Sequence, residues 1–194
     1  MKLYTAPTSP FGRKASIVAR EHNIKLDEET TNPFESDQLA RLNPMKLIPV
    51  LVLDDGAVLL ESPLICEYFD SSGTGPTLFP EANRWLWRTR LLIGHGLADA
   101  SVQLRLQQVL PDGEQSTTLK TRYTERMARA VAALDNQTDA LAEGALRMDQ
   151  ICAVMGIGHM EFRHGEGWRD EASNLAAWYD EVMARPSFAE TAPK

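Results

Sequence analysis

Ile48-Pro49-Val50-Leu51-Val52-Leu53, followed by Asp54-Asp55-Gly56, Val58-Leu59-Leu60 and Glu61-Ser62-Pro63, decides the architecture of this chain. The apolar run is too short for a core helix and is bounded by turn formers, so it reads as a buried strand. Asp-Asp-Gly between two apolar runs is a hairpin signal, which makes residues 58–60 the returning strand. Ser62 is a good helix cap and Pro63 suits the first helical position. Leu64, Ile65, Tyr68 and Phe69 then give the helix an apolar face. A hairpin feeding directly into a helix is the frame on which the rest is placed.

Upstream, residues 2–6 read as a short strand, with Pro7 and Pro10 marking a loop. Residues 12–21 form a helical stretch with Ala15, Val18 and Ala19 on one face. Residues 26–31 form a second strand, polar and edge-like because of Asp27, Glu28 and Glu29, and ended by Asn32-Pro33. Residues 36–42 are a short helix capped by Ser36 and stopped before Asn43-Pro44. The order is strand, helix, strand, helix, strand, strand, helix, and its crossovers imply a partly parallel sheet.

Downstream the pattern changes. Residues 71–80 are rich in Gly, Pro, Ser and Thr and read as a linker. Residues 83–108 form a long helix, ended by Pro111-Asp112-Gly113. Leu119, Tyr123, Met127, Ala130, Leu134 and Leu141 make one core-facing stripe. Residues 151–162 are an apolar, central helix and 175–183 a shorter one, ended by Arg185-Pro186. A mixed α/β half followed by an all-helical half predicts two domains, 1–75 and 83–194.

Composition bounds the function. A chain of 194 residues buries roughly 70% of its unfolded surface and needs no staples. A formal net charge of −7 argues against nucleic acid and anionic membrane surfaces as partners. The two cysteines, Cys66 and Cys152, form no paired motif and read as buried apolar residues. The N-terminus lacks a signal-peptide run, and no stretch approaches the ~18 apolar residues of a membrane span, so a cytoplasmic location is expected. His22, His95, His159 and His164 show no metal-ligand spacing, and no metal is expected.

Three features can carry chemistry. Thr8-Ser9-Pro10-Phe11-Gly12-Arg13-Lys14 lies between the first strand and the first helix. There, free N–H groups and the helix dipole favour negative charge. A thiol with a pKa of about 8.5 is only ~3% ionised at pH 7, and lowering that by ~2.7 kcal/mol makes it mostly thiolate. Ser9 is either a donor to such a sulfur or a plain helix cap. Pro49 is either an ordinary strand opener or, if cis, a turn that lets the Ile48 backbone pair with an extended ligand. Glu61-Ser62 either caps a helix or holds an α-amino acid head, with hydroxyl and N–H groups for the carboxylate and Glu61 for the ammonium. Asp99, among Gly96, Ala98 and Ala100, is either a solvated charge or a carboxylate aimed into a cleft.

Together these segments resemble the glutathione S-transferase family over nearly the whole chain. Residues 8–14 look like its Ser-Pro-x-x-Arg-Lys segment, and Asn43-Pro44-Met45-Lys46-Leu47-Ile48-Pro49-Val50-Leu51 like its Asn-Pro-x-x-Lys-hydrophobic-Pro-Val-Leu segment. Leu60-Glu61-Ser62-Pro63-Leu64-Ile65-Cys66-Glu67-Tyr68 looks like its Glu-Ser-x-x-Ile-x-x-Tyr segment, and Arg185-Pro186-Ser187-Phe188 like its common ending. The resemblance implies an α/β thioredoxin-like N-terminal domain, an all-α C-terminal helical bundle and a homodimer. It also implies glutathione as co-substrate and a small-molecule electrophile as its partner. Ser9 would contact the glutathione sulfur, Ile48 beside a cis-Pro49 the cysteinyl backbone, and Glu61 and Ser62 the γ-glutamyl head. Lys46 would reach the glycyl carboxylate, and Phe11 would line the pocket mouth.

Departures from the pattern sharpen the question. Arg147 and Gln150 stand where the family often has a Ser or Thr cap and an Asp, which weakens the capping box and leaves Asp149 to assist. His95 stands where similar bacterial members tend to carry Asp. No cysteine lies at residues 9–12, which disfavours glutaredoxin-like thiol transfer. Tyr4 reads as core. The expected activity is addition of the glutathione thiolate to an electrophile. The alternatives are a non-catalytic binding or interaction module and a glutathione-dependent isomerase or peroxidase.

Overall fold

The computed structural model describes residues 1–193, which fall into two units. One comprises Met1–Phe79 and the residues from Ser187 on; the other is Pro80–Pro186.

The first unit runs β1 (Lys2–Thr5), α1 (Pro10–Glu21), β2 (Asp27–Thr30), α2 (Asp37–Leu42), β3 (Val50–Val52), β4 (Val58–Leu60) and α3 (Ser62–Ser72). The strands form one sheet in the order β2-β1-β3-β4. The α1 crossover makes β1 and β2 parallel, while β1–β3 and β3–β4 are antiparallel, the mixed sheet expected of these connections. Leu3 and Leu51 sit opposite each other and are fully buried, as are Ile17 of α1 and Ile65 and Phe69 of α3. The alternate strand positions Tyr4 and Val50 pack with Leu39 of α2. The Tyr4 hydroxyl accepts a hydrogen bond from Gln38 Nε2 at 2.8 Å, so this tyrosine belongs to the core.

Several boundaries differ from the sequence expectation. Strand β3 begins at Val50 because Pro49 has no N–H for the ladder; the Ile48–Pro49 bond is cis. Helix α1 starts at Pro10 because Ser9 caps it and proline fits the first helical position. In α3, Glu61 holds the cap position and Ser62 is the first helical residue, so the helix starts one position earlier than a Ser62 cap predicts. The helix also runs to Ser72, into the stretch read as linker.

The second unit is built from α4 (Arg84–Gln108), α5 (Thr117–Asp135), α6 (Thr138–Ala142), α7 (Met148–His164) and α8 (Ser173–Met183). A short α9 (Pro186–Ala189) follows in the chain, and its residues from Ser187 on belong to the first unit. Helix α7 is buried from Met148 to Met160, which fits its almost uncharged sequence. Helix α4 packs backbone to backbone against it: a Cβ on Gly94 would lie 2.6 Å from Ala153 N, and one on Gly156 2.5 Å from the Gly94 carbonyl. The α5 stripe is shorter than expected. Met127, Val131 and Leu134 are buried, but Leu141 lies on α6, beyond the break at Asn136–Gln137.

The start of α7 is rebuilt rather than merely weakened. Gln150 Oε1 accepts from Arg147 N at 3.0 Å, which keeps half of a capping box. Asp149 is 0% exposed and accepts from Arg90 Nε at 2.9 Å and Arg147 Nε at 3.2 Å. Arg147 Nη2 donates to the Ala140 carbonyl at 2.8 Å. The residue in the cap position thus ties the preceding helix to the first turn of α7.

Candidate functional site

Strand register brings the three singled-out segments to one end of the sheet. Val50 pairs with Tyr4 on one side and Leu60 on the other. The C-terminal end of β1, the N-terminal end of β3 and the C-terminal end of β4 therefore share an edge. Ser9 follows β1, Ile48-Pro49 precedes β3, and Glu61-Ser62 follows β4.

Ser9 caps α1. Its Oγ accepts from Gly12 N at 3.2 Å, and its own N–H donates to the Ala6 carbonyl at 2.9 Å. A serine hydroxyl has one donor and two acceptor lone pairs. The cap uses an acceptor, so the O–H stays available to a partner outside the helix. The two readings of Ser9 are thus compatible in one geometry. Gly12 matters here as well: a Cβ at this position would run into the Thr5 side chain at Oγ1, so glycine lets the helix start close against the end of β1.

The second segment is held by Asn43, a fully buried residue. Its Nδ2 donates to the Leu47 carbonyl at 2.9 Å, and its Oδ1 accepts from Met45 N at 2.9 Å. These bonds shape the loop that delivers the cis Ile48–Pro49 bond, with Ile48 outside the strand ladder. Lys46 has φ = 54° and donates from Nζ to the Phe34 carbonyl at 3.3 Å. Asn43 thus organises this loop, a role that the sequence motif alone does not assign to it. Its signal was an Asn directly before Pro, a residue that bonds its own backbone in turns.

The third segment is strained and incompletely satisfied. Glu61 is exposed and has φ = 64°, a conformation that costs a non-glycine residue about 1–3 kcal/mol and clusters at ligand clamps. Ser62 is only 1% exposed, and its buried Oγ has no hydrogen-bond partner. An unmade bond of that kind costs about 1–3 kcal/mol. A ligand acceptor placed there recovers it.

Phe11 lies in the first turn of α1, half-buried. Asp99 belongs to α4 of the second unit, where Arg126 Nη2 donates to it at 3.2 Å, so its charge is engaged by a neighbouring helix. Among the described residues, no cluster of His, Cys, Asp and Glu has the makings of a metal site. No helix among them is long and apolar enough to cross a membrane.

Residues 3–77 match the family model for the glutathione S-transferase N-terminal domain. The chain is 30% identical over 202 residues to the GST-like protein YibF of Escherichia coli strain K12, covering 100% of this chain and 98% of that protein. A glutathione transferase family member from Pseudomonas fluorescens Pf-5, solved with bound glutathione, shares the fold at a TM-score of 0.92 and 30% identity, over 100% of this chain and 98% of that one. A glutathione S-transferase from Methylobacillus flagellatus KT, also with glutathione bound, gives a TM-score of 0.92 at 28% identity, over 100% and 99% of the two chains.

Proposed function

The chain belongs to the glutathione S-transferase family, and from that premise we propose that its first unit binds glutathione and that the protein adds the glutathione thiolate to a small electrophile. The observation that carries the reading is the meeting of Ser9, Ile48-Pro49 and Glu61-Ser62 at one sheet end, with the Ser62 hydroxyl buried and unpartnered. In this reading the γ-glutamyl carboxylate takes the Ser62 O–H and the free N–H groups of α3, and Glu61 faces the ammonium. The extended cysteinyl unit pairs with the Ile48 backbone beside Pro49. Lys46 takes the glycyl carboxylate and Phe11 lines the mouth.

The sulfur then lies at the N-terminus of α1, within reach of the Ser9 O–H. The helix dipole and that donor favour thiolate over thiol, so the thiol proton goes to solvent; the thiolate then forms a C–S bond to the electrophilic carbon and, with an aryl halide, the C–halogen bond breaks and halide leaves. Catalysis of this kind is positioning plus electrostatic stabilisation. Exposed apolar side chains are consistent with a homodimer: Trp85, Leu86 and Leu92 on α4 are 68%, 64% and 66% exposed, and Leu64 on α3 is 49% exposed. A binding-only module is the second reading, favoured by the cap bond from Gly12, which gives Ser9 a structural use without any chemistry.

Retention on immobilised glutathione and turnover of a generic aryl halide test both readings. Binding lost in Glu61→Ala and rate lost in Ser9→Ala support the transferase. Binding without turnover supports the module. Wild-type protein that neither binds nor turns over overthrows the proposal.

A further inference from the structure

Ser101 ties α4 to α7 twice. Its hydroxyl lies 2.7 Å from His159 Nδ1, and its carbonyl accepts from His164 Nε2 at 3.0 Å. The two helices run parallel, with Arg90 beside Asp149, Gly94 beside Ala153, and Ser101 beside His159 and His164. Arg105 stands one turn beyond Ser101 on the same face of α4, and Arg163 one turn beyond His159 on α7. The last turns of both helices thus bring Arg105, Arg163 and His164 together.

No acid on either helix balances them. The acidic residues of α4 and α7 are Asp99, Asp149 and Glu161. Asp99 is bonded to Arg126, Asp149 to Arg90 and Arg147, and Glu161 to Arg169 at 2.6 Å. Burial and the Arg105 charge push the Arg163 guanidinium down from its ordinary value. Burial lowers His164 too, opposed by the Ser101 carbonyl bond and assisted by Arg105 and Arg163. Both side chains also hold a buried nitrogen with no partner, Nε of Arg163 and Nδ1 of His164. The Arg163 guanidinium stacks over the Phe162 ring at 4.5 Å, which fixes its plane. The α7 dipole favours cations at this end, but it leaves the two buried nitrogens unsatisfied and does not relieve the repulsion from Arg105.

We propose that Arg105, Arg163 and His164 form an anion site at the adjoining last turns of α4 and α7, which takes the carboxylate or phosphate group of a small molecule. Two guanidinium forks suit a multidentate oxyanion, and a bound anion draws a proton onto His164 Nδ1, which then donates to it while Nε2 keeps the Ser101 carbonyl. The site lies wholly in the second unit and does not depend on the glutathione reading.

Full-length protein titrated with sodium phosphate, or with sodium succinate, against a sodium chloride blank of equal ionic strength tests this by calorimetry and by the NMR signal of the His164 ring. Saturable binding of either anion is expected, with a shift of the His164 signal and at least a tenfold rise in Kd in R105Q/R163Q. Tighter phosphate or tighter succinate names the group preferred. The single variant Arg105→Glu, at an exposed position, is expected to lose binding and serves if the double variant does not fold. Glu61→Ala, which removes the proposed ammonium contact of glutathione, is expected to bind the anion like wild type, so the two sites fail or succeed separately. The proposal is overturned if neither anion saturates above chloride, or if the arginine variants bind like wild type.

Discussion

Replacing His159 with asparagine isolates what one buried imidazole does to the pH range of folding. His159 is 5% exposed on α7, beside the Ser101 hydroxyl. Burial first, then the charges of Arg163 and His164, push its pKa from 6.5 down to about 3. The sign follows from the two states. Below pH 6.5 the unfolded chain takes up a proton, whereas the folded chain does so only near pH 3. Stability is therefore fully present above pH 6.5 and falls as the pH drops from 6.5 to 3, by about 1.4 kcal/mol per pH unit. At pH 5 the loss is about 2 kcal/mol, which for a chain of this size moves Tm by about 4–8 °C.

His159→Asn does not titrate and keeps a polar group for Ser101. Thermal unfolding followed by circular dichroism at pH 7.5 and pH 5.0, at constant ionic strength, reads the effect. The fall in Tm between the two pH values is expected to be about 4–8 °C larger in wild type than in the variant. The absolute Tm at pH 7.5 does not enter, since packing changes cancel in the difference. Parallel curves would refute the reasoning, because they would mean that His159 protonates as readily folded as unfolded.

Three further outcomes are expected. Asp149→Asn leaves the Arg90 and Arg147 guanidiniums, 11% and 14% exposed, without their carboxylate; the expected loss is about 3–5 kcal/mol, or roughly 6–20 °C in Tm, and a fall under ~2 °C by calorimetry would show that the network does not hold the start of α7. Ser9→Asp keeps an acceptor for the Gly12 N–H but has no donor and adds a negative charge; Tm is expected to stay within ~2 °C of wild type, while the pKa of bound glutathione, followed by ultraviolet thiolate absorbance, rises, and an unchanged pKa would remove Ser9 from its proposed role. Gly12→Ala places a methyl against Thr5 Oγ1 and is expected to cost about 1–3 kcal/mol in chemical denaturation, most of it regained in Thr5→Ala/Gly12→Ala; additive single effects would disprove the clash.

Much of the first unit was legible because its signals are local. Pro10, the Asp54-Asp55-Gly56 turn and the polar strand 27–30 each state a backbone preference that the tertiary structure leaves intact. Proline chemistry at position 49 was legible as a pair of alternatives, and the Ile48–Pro49 bond is cis. The second unit was less readable because its decisive contacts join residues far apart in sequence. No pattern around Arg147 says that Asp149 also meets Arg90, 59 positions away. Ser101 and His159, 58 positions apart, likewise carry no shared motif. Asp99 shows the same limit from the other side: the small residues around it left a solvated charge and a cleft-facing carboxylate both open, and Arg126 from α5 supplies a partner that helical spacing on α4 cannot reveal.

Burial and hydrogen-bond inventory sharpen what residue type left open in the candidate site. Ser9 and Ser62 were both readable as caps. Only Ser9 is one, and it spends an acceptor lone pair and keeps its O–H. Ser62 sits one position inside α3, out of capping register, and its buried hydroxyl bonds to nothing. Two serines at the N-termini of two helices thus each offer an O–H at the same end of one sheet. A donor at a helix N-terminus is matched by an anion. A ligand with two anionic groups, a carboxylate at Ser62 and a thiolate at Ser9, satisfies both at once. A neutral acceptor can take the hydrogen bond of either hydroxyl but leaves the positive end of the helix without a countercharge.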